Sequence, residues 1–278
     1  MLSTFQFASS GYFFALLPSV YTVRQHFPPG TRMHVTLFLG TEEPVDAVVL
    51  NYLNELRIDL ELVHISETNV SRDSVLHLCN RHFVRVLERS GYDDVFYLDA
   101  DCYFRRPPTW DRIEGDVIFG SLESPRERAP KTFPDFCERL RVRRFINEGY
   151  FGSCVYVKAH AKHFYAQEMK SLLEGNVPFH HFDDMHYRFA AASLAGLRCA
   201  SVPKELEYKV VFDYYKSHDP EMLHLCFSLD WYQHDPCYHL FLSIIAEVVD
   251  QYPALIRNLH PLWVEHCCGL PGKAAPAR

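Results

Sequence analysis

The segment Val95-Phe96-Tyr97-Leu98-Asp99-Ala100-Asp101-Cys102-Tyr103-Phe104 decides the fold. Its first four residues are apolar or aromatic and too few for a helix. They predict a strand buried on both faces, as in a parallel sheet. Two carboxylates follow, one residue apart. Side chains alternate along an extended chain, so Asp99 and Asp101 are expected to point the same way across the small Ala100. Two like charges held so close at a strand end require a cation. In open α/β sheets ligands collect beyond the carboxyl ends of the strands, which is where this pair falls.

The sequence on either side repeats a β-α alternation. Residues 4–8 read as a strand, 12–26 as a helix stopped by Pro28-Pro29-Gly30, and 34–39 as a strand ending at Gly40. The segment after Pro44 has helical spacing and 61–65 is another strand. Val75, Cys79, Phe83, Val86 and Leu87 form a helical stripe over 71–90, with Gly91 in the C-cap position. Downstream, Arg105-Arg106-Pro107-Pro108 ends the central strand. Residues 116–120, 153–157 and 199–202 read as strands, and 159–174, 182–194 and 240–249 as helices. The charged, proline-punctuated 124–131 segment is a loop, either a mobile lid or plain surface, and 269–278 reads as a frayed tail. This pattern predicts an α/β protein with a mostly parallel central sheet flanked by helices.

Composition narrows the partners. The chain has 278 residues, 48% of them hydrophobic and 23% charged, enough for one large core. A net charge of -7 argues against a general nucleic-acid surface, so phosphate would have to be met by a metal or a few Arg and Lys. The nine cysteines are odd in number, include the adjacent pair Cys267-Cys268 and form no C-x-x-C. Several, such as Cys154, lie in apolar runs and read as reduced, buried small hydrophobes, which suits a cytoplasmic protein. The first residues lack a basic region before an apolar one, and no apolar run approaches the ~18 residues that span a bilayer. No P-loop, G-x-G-x-x-G turn or G-x-S-x-G elbow occurs. His234, Cys237 and His239 have a spacing that fits no closed zinc module.

The oxygen ligands Asp99 and Asp101 suit Mg²⁺ or Mn²⁺ rather than zinc. Farther on, Asp183-Asp184 opens a helix, where carboxylates cap the N-terminus and complement the macrodipole with no chemistry implied. Asn147-Glu148-Gly149-Tyr150-Phe151-Gly152 leads into a strand, and Gly149 would allow a ligand close to the backbone.

Together these segments resemble the retaining glycosyltransferases of the GT-A fold. Val95 to Phe104 is similar to the apolar strand plus D-x-D signature of glycogenin, bacterial lipopolysaccharide galactosyltransferases and the blood-group transferases. The 147–152 segment resembles their donor-sugar contact. His181-Phe182-Asp183-Asp184-Met185-His186-Tyr187 resembles their D-Q-x-x-L-N or H-D-E-S-H-L-N element. The resemblance spans about residues 4–210 and implies a Rossmann-like GT-A domain over 1–278. Residues up to about 130 would hold the nucleotide, and the remainder the acceptor, with a C-terminal extension.

It implies a hexose moved from a UDP-sugar to a glycan hydroxyl, with Asp99 and Asp101 on Mn²⁺ or Mg²⁺ across the diphosphate. By the same resemblance Asp184 faces the anomeric carbon and Asp183 and Asn147 hold sugar hydroxyls. Arg81, or Arg85 in a shifted register, pairs with phosphate or the acidic pair. Ala8 and Tyr12 border the uracil base. His224, in Leu223-His224-Leu225-Cys226-Phe227, is similar to a late histidine ligand, although the Gly and Lys of that element are missing; His260 is its rival. The acceptor would meet the aromatic region around Trp231 and Tyr232. An inverting GT-A transferase, a haloacid-dehalogenase-like phosphohydrolase and a non-catalytic nucleotide-sugar-binding protein are the other readings of the same residues. Of these, the phosphohydrolase would open its first strand with D-x-D, whereas here several β-α units precede it.

Overall fold

A computed structural model describes residues 1–65, 72–120, 138, 154–174, 183–203, 205–209, 219–225 and 238–268. The chain opens with β1 (Leu2–Ser9), a short 3₁₀ turn, α1 (Phe13–His26), β2 (Arg32–Gly40), α2 (Ala47–Glu55), β3 (Ile58–Ile65) and α3 (Arg72–Arg89). Gly91, at φ +59°, makes the left-handed turn that ends α3, a conformation a Cβ would disfavour. Then come β4 (Asp94–Tyr97), β5 (Cys102–Phe104), β6 (Val117–Phe119), β7 (Val155–Val157), α4 (Lys162–Glu174) and α5 (Asp183–Leu194). The described chain continues through β8 (Cys199–Ser201), β9 (Glu207–Lys209), β10 (Met222–His224), α6 (Tyr238–Gln251) and α7 (Pro261–Cys268).

Seven strands form one sheet in the order β3-β2-β1-β4-β7-β6-β8. Six run parallel, and β7 is reversed between β4 and β6. The expected α/β architecture with a mostly parallel sheet is present. The apolar run of β4 follows from its position. Val95 and Tyr97 face a core built with Phe83, Tyr165 and Tyr187 of α3, α4 and α5. Phe96 and Leu98 face the other core, with Leu16 and Val20 of α1 and Phe241 and Ile245 of α6. Neighbouring side chains thus serve opposite cores, and no position from Val95 to Leu98 is left for a polar residue.

The segment 95–104 is not one extended strand, as the sequence suggested. β4 ends at Tyr97, and β5 belongs to a second sheet of order β5-β10-β9. Between them the chain turns, with Cys102 N donating to Asp99 O at 3.2 Å. Residues 204 and 210–218, which separate and follow the small strands, lie outside the described residues, as do the 124–131 loop, Asn147, Gly149, Trp231, Tyr232, His234, Cys237 and the 269–278 tail. Among the described residues no helix is long and apolar enough to cross a membrane.

Candidate metal and donor site

The turn carrying the acidic pair is fixed from below by one face of α1. Ala15, Ser19 and Thr22 recur at helical spacing, so their groups line up along one stripe. Tyr103 OH donates to Ala15 O at 3.1 Å, Ser19 Oγ donates to Cys102 O at 2.5 Å, and Phe104 N donates to Thr22 Oγ1 at 3.0 Å. Gln6 of β1, itself buried, donates from Nε2 to Ser19 Oγ at 2.7 Å and to Asp99 O at 3.2 Å. From the far side Leu225 N donates to Asp101 O at 3.2 Å as the chain leaves β10. The backbone of residues 99–102 is thus tied to β1, α1 and β10, and the carboxylates have little freedom to drift apart.

His224 reaches the same point because β10 pairs antiparallel with β5, setting His224 opposite Cys102. Its Nε2 lies 3.7 Å from Asp99 Oδ2 and 3.4 Å from Asp101 Oδ1. Two octahedral ligands 2.1 Å from one small cation stand about 3 Å apart, so these donors need only a slight contraction to share an ion. Exposure is graded: the Asp99 side chain is 23% exposed, His224 5% and Asp101 2%. An ion would arrive from the Asp99 side and be held against buried groups.

Cys102 is the third member of a compact group with Asp101 and His224, their ligand atoms all within 4.8 Å of one another. Burial, and then the Cys154 thiol 3.3 Å from its sulfur, push the Cys102 thiol well above its ordinary pKa. The site therefore presents two carboxylates, one imidazole and a thiol, donor types that a divalent cation can share.

The other sequence-predicted residues are placed less closely. Ala8 is buried near the carboxyl end of β1, on the sheet edge where Asp99 follows β4, and Tyr12 is half-buried in the next turn with its ring 6.3 Å from that of Phe14. His260 packs among aromatic rings, 5.3 Å from Phe14 and 5.6 Å from Trp263, so His224 and not His260 is the histidine brought to the acidic pair. Arg81 is exposed on α3, and Arg85 pairs with Glu61 at 3.5 Å. Asp183 and Asp184 begin α5, but their side chains lie outside the described residues. His239 is exposed at the start of α6.

Two residues near the site escaped sequence reasoning. Arg188 of α5 is fully buried; it donates from Nη2 to Tyr97 OH at 2.7 Å and from Nε to Asn80 Oδ1 at 3.1 Å, with its guanidinium 3.7 Å over the Tyr97 ring. This arginine, rather than Arg81, lies against the strand that delivers the acidic pair. Its signal was a lone Arg inside the apolar run Tyr187-Arg188-Phe189-Ala190-Ala191. The second is Glu207 of β9, also fully buried, with Oε1 3.5 Å from His224 Nδ1.

No protein-family model and no curated protein matches the sequence. Among solved structures the chain is similar to the galactosyltransferase LgtC in complex with donor and acceptor sugar analogues, at a TM-score of 0.53 and 14% identity. That likeness covers 88% of this chain and 95% of that one. At such identity the likeness speaks for architecture, and with the seven-stranded, mostly parallel sheet it gives this chain a Rossmann-like fold of the GT-A type.

Proposed function

We propose that this protein is a metal-dependent glycosyltransferase that moves a hexose from a UDP-sugar to a hydroxyl of a glycan acceptor, with retention of configuration. The observation that carries the proposal is the convergence of Asp99, Asp101 and His224 beyond the carboxyl end of β4. This is where an α/β sheet receives a nucleotide ligand. The GT-A architecture supports the reaction class, and the resemblance of the three sequence motifs supports donor and stereochemistry.

Asp99, Asp101 and the Nε2 of His224 would hold Mn²⁺ or Mg²⁺. Such an ion neutralises charge on a departing diphosphate when it is bound. The protein's own work is positional. Gln6 and Ser19 fix the backbone of the turn, so Asp99 and Asp101 would need only a slight contraction to meet the ion. Ala8 and Tyr12 border the base, and Asn147 and Asp183 hold sugar hydroxyls. The Asp184 carboxylate would face the anomeric carbon and stabilise the positive charge that grows there as the glycosidic bond to UDP lengthens. The acceptor oxygen then bonds to that carbon as the bond to UDP breaks, its proton passing to the departing diphosphate oxygen, with the acceptor assigned to the region around Trp231 and Tyr232.

The test is release of UDP from a panel of UDP-hexoses with Mn²⁺, followed by NMR of the product anomer. D99A and D101A are each expected to lower release at least 100-fold. Undiminished release in the presence of chelator would overturn the metal-dependent reading, and an inverted anomer would overturn retention.

A further inference from the structure

We infer that Glu207 is a positioning residue for the ion site: its buried carboxylate faces the Nδ1–H edge of His224 and so keeps the Nε2 lone pair aimed toward Asp99 and Asp101 when an ion is held there. The inference rests on the proposed metal site and adds a residue that the site needs. β9 and β10 pair in parallel, Glu207 opposite Met222 and Lys209 opposite His224. Glu207 and His224 are therefore diagonal neighbours on one face of the small sheet, two positions apart, a separation long side chains bridge. The imidazole stands between opposing acids. Its Nδ1 is 3.5 Å from Glu207 Oε1, while its Nε2 is 3.4 Å from Asp101 Oδ1 and 3.7 Å from Asp99 Oδ2.

A neutral imidazole carries its proton on one nitrogen only, and the partner of the other nitrogen decides which. Were the proton on Nε2, the face toward Asp99 and Asp101 would offer no lone pair. Without an ion Asp101 and Asp99 favour a proton on Nε2 as Glu207 favours one on Nδ1; with Nε2 given to an ion, the Glu207 carboxylate faces Nδ1–H, and carboxylate–imidazole–metal relays of this kind orient the ring and raise its basicity. The side chain of Glu207 is completely enclosed and that of His224 is 5% exposed, so water does not compete strongly for Nδ1. A buried carboxylate is costly to keep, and the tautomer it imposes is the return on that cost.

The experiment uses the full chain and three proteins: wild type, Glu207→Gln and Glu207→Met. Mn²⁺ affinity is read from the electron paramagnetic resonance of free Mn²⁺, and the protonated ring nitrogen of His224 from ¹⁵N NMR of the Mg²⁺-loaded protein, assigned by its loss in His224→Asn. Glu207→Met is expected to weaken Mn²⁺ binding about 10- to 100-fold, the usual loss when such an outer carboxylate is removed, and to shift the proton toward Nε2. Glu207→Gln, whose amide oxygen still accepts a proton, should fall between; it carries the test if Glu207→Met does not fold. Mn²⁺ affinity within twofold of wild type in the folded variants, with the Nδ1 proton unmoved, would overturn the positioning role. Failure of wild type to bind Mn²⁺ would overturn the metal site itself. Where wild type binds Mn²⁺ and Glu207→Met binds it equally well, the role of Glu207 fails while the ion site stands.

Discussion

Replacing Asp101 by Asn tests the ion site through stability alone, with no substrate required. Asp99 and Asp101 oxygens lie 3.7 and 3.4 Å from one Nε2, so they are at most about 7.1 Å from each other. At an effective dielectric near 20 two charges at that distance repel by at least ~2 kcal/mol, falling to ~0.6 kcal/mol where Asp99 is solvated as in water. A divalent ion reverses this interaction, and only the folded state assembles both acids with His224. At a concentration about 100-fold above its dissociation constant the ion adds ~2.7 kcal/mol of stability. For 278 residues, an unfolding entropy of ~2.1 cal/mol/K per residue converts that gain to a rise of about 5 °C in melting temperature. Differential scanning fluorimetry with MnCl₂, against the same protein in chelator, reads the shift directly. In D101N, which keeps the shape and removes one charge, the rise should shrink below ~1 °C. Equal rises in the two proteins would refute the assignment of Asp101 to the ion.

Three further outcomes probe the frame around the site. Phe96, fully buried against Phe27, Phe104, Trp110 and Tyr156, should cost about 3–5 kcal/mol when cut to Ala, read as a lowered urea midpoint. Ser19→Ala removes the donor to Cys102 O and an acceptor for Gln6. It should cost about 1–3 kcal/mol and weaken Mn²⁺ binding by loosening the turn, measured by denaturation and ion titration. Burial alone would raise the Asp116 carboxyl, but the backbone N–H of Arg198 and the His160 and Arg198 side chains outweigh it and bring the pKa down to about 2. A depressed folded-state value stabilises above the unfolded pKa of ~3.9 and loses that stabilisation as pH falls toward 2. D116N should therefore flatten the acid limb of the stability profile there by about 1–2 kcal/mol, the partners' exposure having reduced the full effect.

The frame was legible where side-chain pattern alone decides structure. Residues 95–98 are apolar without a break because the strand lies between two cores, and the stripe from Val75 to Leu87 marks α3 because one helix face packs on the sheet. The closeness of Asp99 and Asp101 beyond the carboxyl end of a strand was legible from their spacing, although the geometry that joins them is a turn between two sheets rather than alternation along one strand. β9 and β10 were not legible. Three residues are too few to show a period, and their stability comes from pairing β10 with β5 and β9 with β10, the first a long-range contact that composition does not encode. In Lys204-Glu205-Leu206-Glu207 nothing local distinguishes a buried carboxylate from a solvated one. Arg188 gave a faint signal through its apolar neighbours, because burying a guanidinium among them requires the hydroxyl of Tyr97 and the amide of Asn80 that only the fold supplies.

The link between Leu225 N and Asp101 O also joins distant parts of the chain. Pairing β1 with β2 and β2 with β3 brings together residues such as Ser3 and Arg32 or Met33 and Ile58, whereas bringing β10 to β5 closes a loop from residue 104 to 222, at an entropic cost of about 4 kcal/mol. Low-separation contacts form first, so the β1-β2-β3 part of the large sheet can assemble while His224 is still far from the acidic pair. During synthesis His224 joins Asp99 and Asp101 only after all seven strands of the main sheet have been made. A chain cut short after β8 would retain every strand of that sheet and lack the histidine, so it separates the architecture from the proposed ion site.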